Sequence, residues 1–194
     1  LWRAPLYKLK NNQFSHLFFA ACVVLFLLWN SRVGVLPALN FHLLGVTIVT
    51  LMFGWRLALL AVAVVVVGIA FYSEDGFIST GLNALVMGVL PVVLTQGLLV
   101  LCQRYLPHNF FVYVYINGFL AAGLSILLAY FVGALVLLSS DVTSIGWLNY
   151  QYFPYFPLIF FSEAFLTGLV VTALVVLKPD WVCSFDDNMY LKNK

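Results

Sequence analysis

Charged side chains are what this sequence has least of. Asp, Glu, Lys and Arg make up 8% of its 194 residues, 64% are hydrophobic, and the mean hydropathy is +1.05. A soluble domain carries about 25% charge because its surface must be solvated. The composition therefore excludes a water-coated globule, and lipid must replace water over most of the surface. Cysteine is also sparse. Cys22, Cys102 and Cys183 lie far apart and form no CxxC pair, which excludes a disulfide framework and a thiolate metal site. There is no P-loop, no Gly-rich dinucleotide fingerprint, no HExxH and no Ser/His/Asp arrangement with a recognisable context. An ATPase motor thus lies outside this chain, and nothing points to an enzyme or to a nucleic-acid partner. Period-two alternation is missing as well. Since backbone polar groups in hydrocarbon must be satisfied internally, its absence leaves helices rather than a closed barrel.

What is present is a series of long apolar runs. They cover roughly His16 to Trp29, Val35 to Phe53 (marked by Pro37, Asn40 and His42), Leu57 to Tyr72, Thr80 to Leu101, Phe111 to Leu138, and Pro157 to Leu177. One crossing takes about 20 apolar residues, so the sequence predicts an all-α integral membrane protein, a bundle of about six transmembrane helices. Residues 1–15 read as a basic juxtamembrane segment, 16–177 as the bundle and 178–194 as a cytoplasmic tail. Basic residues favour the cytoplasmic side. With both ends inside, Arg3, Lys8, Lys10, Arg56, Arg104, Lys178, Lys192 and Lys194 are cytoplasmic and only Arg32 is outside. The expected topology is N-in and C-in, in a bacterial inner membrane. The Tyr- and Pro-rich stretch 149–157 fits an aromatic belt at the outer boundary.

Polar groups inside lipid are costly, so each needs a reason. Glu163 is the only acidic residue within an apolar run. It lies about six residues, or about 9 Å, into the last helix and should face the bundle interior, either as a substrate-site residue or as a helix–helix hydrogen-bonding group. His42 sits near the same face. Its imidazole could ligate a transition metal or serve as a structural hydrogen-bonding group. Asn83 opens the fourth helix beside the outer turn, and Met87 follows one turn later on the same α-helical face. Thr167 is one turn beyond Glu163. His42, Asn83 and Glu163 come from three helices yet share one predicted depth, as an extracytoplasmic substrate site requires. Met87 and Thr167 are the candidates for supporting them.

The segments Phe41-His42-Leu43-Leu44-Gly45 and Leu51-Met52-Phe53-Gly54, the Asp75-Gly76 turn with Thr80-Gly81-Leu82-Asn83 and Met87-Gly88, Ser162-Glu163-Ala164-Phe165-Leu166-Thr167, and the exit Lys178-Pro179-Asp180 carry a resemblance. In order and spacing they resemble the substrate-binding membrane subunits of cobalt/nickel energy-coupling-factor transporters, the CbiM/NikM type, most closely a divergent branch of permeases. The resemblance implies uptake of a divalent transition metal as substrate, with no resident cofactor. It implies a metal-site His at the position of His42, with Asn83 nearby, and separate scaffold and ATPase subunits as partners. It also implies a seventh, N-terminal helix ahead of these residues, carrying a Met-His motif that these 194 residues do not contain. Two functions follow. One is a substrate-binding subunit of an importer for a Co/Ni-like ion or another small solute. The other is a non-transporting accessory subunit of a larger membrane complex.

Overall fold

The computed structural model describes residues 6–30, 33–36, 39–41, 43–72, 81–140 and 143–190. After a 3₁₀ turn at Leu6–Lys10, α1 runs over Asn12–Asn30. A two-stranded antiparallel hairpin follows, β1 (Val33–Leu36) and β2 (Leu39–Phe41), pairing Val33 with Phe41 and Gly34 with Asn40. Next come α2 (Val46–Phe53) and α3 (Trp55–Tyr72), then α4 (Gly81–Tyr105) and α5 (Phe110–Ser139). The short α6 (Ile145–Gln151) leads through a 3₁₀ turn into α7 (Phe156–Leu177), and α8 (Asp187–Tyr190) ends the described chain.

The hairpin takes up the first part of the apolar run from Val35 to Phe53. Val33 and Val35 favour extended backbone, and Pro37 is incompatible with a helix interior. The helix starts only after Gly45, whose φ of +63° suits glycine far better than any L side chain. α2 therefore has eight residues, about 12 Å of helix, far short of the ~30 Å hydrocarbon core. Gly54, at φ +79°, separates it from α3.

Among the described residues, four helical stretches are long and apolar enough to cross a membrane: Asn12–Asn30, Gly81–Tyr105, Phe110–Ser139 and Ile145–Leu177; Trp55–Phe71 is apolar but shorter. This is an integral membrane protein built almost entirely of helices. α1 and α2 run antiparallel, and α3 runs back alongside α1. Phe14 and Phe18 at the start of α1 meet Phe53 at the end of α2, with ring centroids 5.5 and 5.4 Å apart. At the far end of α1, Phe26 lies against Gly68 of α3. The seam of α5 and α7 closes on glycines, with the Phe119 ring over Gly168 and the Phe160 ring over Gly123. The bundle thus has a hairpin end, near Asn30 and Gly45, and a basic end, near Lys8, Trp55, Arg104 and Lys178.

The segment after Lys178, expected as a polar cytoplasmic tail, folds back onto the basic end. Val182, Phe185 and Tyr190 are buried there beside Leu51, Leu99 and Tyr113. The Phe185 and Tyr190 rings stack at 5.0 Å, and Tyr190 meets Tyr113 edge-on at 5.1 Å. Burial pushes the Tyr190 phenol above its ordinary value.

Candidate functional site

Glu163 sits on the second turn of α7 and points into the bundle, 2% exposed. One carboxylate oxygen accepts from the Leu44 N–H at 2.8 Å and the other from the Gly45 N–H at 2.9 Å. The Thr167 hydroxyl, one turn on, approaches the second oxygen at a long 3.4 Å. The Trp29 indole N–H, from the end of α1, donates to the Leu44 carbonyl at 2.9 Å. Elements far apart in sequence therefore pin the two-residue segment Leu44–Gly45 from both sides. Left-handed Gly45 makes this possible, because its conformation turns the chain from the hairpin into α2. Glu163 thereby anchors the entry to α2 from another helix, taking the two N–H groups just ahead of its first residue, Val46.

Of the candidates expected from the sequence, Glu163 and Thr167 come together. His42 lies outside the described residues, but it is two positions before Leu44, so the pinned segment is the one that leads out of it. Asn83 is exposed at the start of α4, and Met87 is half-buried against the main core. Their expected common face rests on α-helical spacing. Ala84–Val89 instead forms a π-helix, whose wider turn displaces side chains four apart.

Other polar groups in the interior were not singled out from the sequence. The Thr95 hydroxyl of α4 bonds to Thr47 of α2 at 3.1 Å and to Ser125 of α5 at 3.2 Å, and all three are buried. Asn117 of α5 is fully buried within the π-helical stretch Tyr113–Leu120, with neither amide atom hydrogen-bonded. Their one sequence signal is a polar residue inside an apolar run. Among the described residues, no group of three or more His, Cys, Asp or Glu side chains could hold a metal ion.

The basic end of α2 is fastened too. The Ser184 N–H donates to the Leu51 carbonyl at 3.2 Å, and the Cys183 N–H donates to the Met52 carbonyl at 3.0 Å. The Ser184 hydroxyl donates to Leu51 O at 2.8 Å and bonds the Tyr113 hydroxyl at 2.6 Å. These bonds satisfy carbonyls that a helix C-terminus leaves open, where hydrocarbon supplies no water to do so.

Long apolar helices, a helix too short to span, and a buried acid holding its start define a multi-spanning membrane protein with a polar interior near one face. Residues 2–181 match the family model described as the cobalt uptake substrate-specific transmembrane region, CbiM. The match covers most of the chain, and the protein belongs to that family, a transport component of the membrane. No curated protein and no solved structure gives a significant match.

Proposed function

We propose that this chain is the substrate-binding membrane subunit of an energy-coupling-factor-type importer, taking a Co/Ni-like divalent ion from the outer side. In this reading α1, α3, α4, α5 and α7 cross as helices, α2 with the non-helical segment before it returns the chain between α1 and α3 as the sixth pass, both ends face the cytoplasm, and the hairpin end faces outward in a bacterial inner membrane. Separate scaffold and ATPase subunits drive release. His42 and Asn83, with donors from an N-terminal segment outside these residues, supply the ligands. Glu163 sets the position of His42 rather than reaching the ion itself.

One observation carries the reading: both carboxylate oxygens of Glu163 are taken up by the backbone N–H groups of Leu44 and Gly45, two and three residues after His42 within the stretch that matches the family. Groups that hold a metal ligand in place rather than touching the ion typically change affinity by about 10–100-fold when replaced. Glu163→Gln keeps the shape but leaves one oxygen acceptor for two N–H donors. It should lower cobalt retention by about that factor, whereas His42→Ala should abolish it with the protein still inserted. Metal analysis of the purified protein with its native N-terminus, after equilibration with cobalt or nickel, measures both.

A second reading is favoured by the small donor set among the described residues: a non-transporting accessory subunit. It predicts negligible cobalt retention in the wild type, a nearly silent Glu163→Gln, and loss of assembly in Glu163→Leu.

A further inference from the structure

At the basic end a groove of about 480 Å³ opens between α3 and α4, on the outside of the bundle. Its walls are Trp55 and, along α4, Val92, Gly97, Leu101, Arg104 and Tyr105. Gln96 is the one uncharged polar side chain in the wall apart from Tyr105 and Trp55, and none of the lining residues is acidic. A methyl group added at Gly97 would meet nothing within 4 Å, so the floor is open where the groove is most apolar. Charge and aromatic rings gather at the mouth. The Arg104 guanidinium lies 5.5 Å from the Tyr105 ring centroid, and that of Arg56 lies 5.1 Å from the ring of Trp55.

Length decides what kind of molecule fits. From Val92 to Tyr105 the groove runs about 20 Å along α4. A transmembrane helix docking there would need contact over the full ~30 Å of hydrocarbon. This groove covers about one leaflet and stops at a boundary marked by arginine and interfacial aromatics. An apolar slot one leaflet deep with the Arg104 guanidinium, Tyr105 and Trp55 in its wall matches a single phospholipid with an anionic headgroup. We propose that the α3/α4 groove is a specific site for an anionic phospholipid, its phosphate held by Arg104 and an acyl chain lying over Gly97. The site is separate from the Glu163 region and does not depend on which solute the protein carries.

The test compares phosphatidylglycerol with phosphatidylcholine of identical acyl chains. Each is added to the purified full chain in neutral detergent, and retained lipid is counted by native mass spectrometry. The expected result is preferential retention of phosphatidylglycerol. Arg104 is exposed, so Arg104→Gln leaves the fold intact; it should weaken phosphatidylglycerol retention about five-fold, the usual contribution of one basic residue at an anionic surface, and leave phosphatidylcholine unchanged. Gly97→Leu should displace the lipid by filling the floor, with an unaltered melting temperature. Equal retention of the two lipids by the wild type would overturn the proposal. So would phosphatidylglycerol retention indifferent to Arg104→Gln, or a Gly97→Cys variant that crosslinks in membranes to a helix of another protein.

Discussion

The two ends of α2 are fastened by different chemistry. At the hairpin end one side chain, Glu163, accepts both N–H groups at the helix entry, and Trp29 holds the adjoining carbonyl. At the basic end the work is spread over two backbone N–H groups and one hydroxyl of the returning segment, with Val182, Phe185 and Tyr190 packed behind them. An eight-residue helix in lipid cannot lean on water at either terminus, so both fastenings are needed. Only the first is concentrated in a residue that one substitution can delete. The comparison teaches where the molecule is vulnerable and where it is redundant.

The largest effect should come from Glu163→Leu. It leaves the Leu44 and Gly45 N–H groups buried without an acceptor, each costing about 1–3 kcal/mol, for a total of about 2–6 kcal/mol. Thermal unfolding in detergent should show a large drop, and hydrogen exchange should accelerate at residues 44–45 while residues 183–184 stay protected. Faster exchange at both ends would break the comparison, because α2 would then respond as one rigid unit.

Gly45→Ala acts on the same end more gently. A non-glycine residue at φ +63° costs about 1–2 kcal/mol, and the new methyl would sit 3.1 Å from Leu28 Cδ1. The expected result is a smaller drop in unfolding temperature than for Glu163→Leu, with exchange changes confined to the hairpin end. A loss equal to that of Glu163→Leu would mean that the turn, and not the carboxylate, holds the entry to α2.

The sequence tells these ends apart only in part. Membrane class follows from charge scarcity alone, and the long runs show through: Thr80 to Leu101 against α4 at Gly81–Tyr105, Phe111 to Leu138 against α5 at Phe110–Ser139, and Pro157 to Leu177 against α7 at Phe156–Leu177. The second run misleads because hydropathy is blind to backbone conformation. It merges a hairpin and a short helix into one apolar stretch. The returning segment misleads for the opposite reason, since the charges around Asp186 and Asp187 mask the buried Val182, Phe185 and Tyr190. Glu163 stands out as the one acid in an apolar run, but its partners lie 118 and 119 residues away, a pairing no local pattern encodes. The hydroxyl chain of Thr47, Thr95 and Ser125 leaves little trace in the sequence, because hydroxyls inside apolar helices commonly bond their own backbone.

The smallest effect should be at the basic end. Ser184→Ala removes the hydroxyl bonds to Leu51 O and to the Tyr113 hydroxyl, but the Cys183 and Ser184 N–H bonds to α2 remain. Each neutral hydrogen bond contributes about 0.5–1.5 kcal/mol net, so a loss of about 1–2 kcal/mol is expected for the two, with residues 44–45 still protected from exchange. The decisive measurement is the double variant Ser184→Ala with Glu163→Gln. Their attachment points on α2 are about 10 Å apart along the helix, and sites that far apart with no shared partner lose stability additively within about 0.5 kcal/mol. Additivity means that α2 is held by two independent fastenings, and the basic end can change without disturbing the segment after His42. A coupling well beyond that limit would mean that α2 slides as a piece, so that whatever touches the returning segment at the basic end also moves the segment leading from His42 at the other.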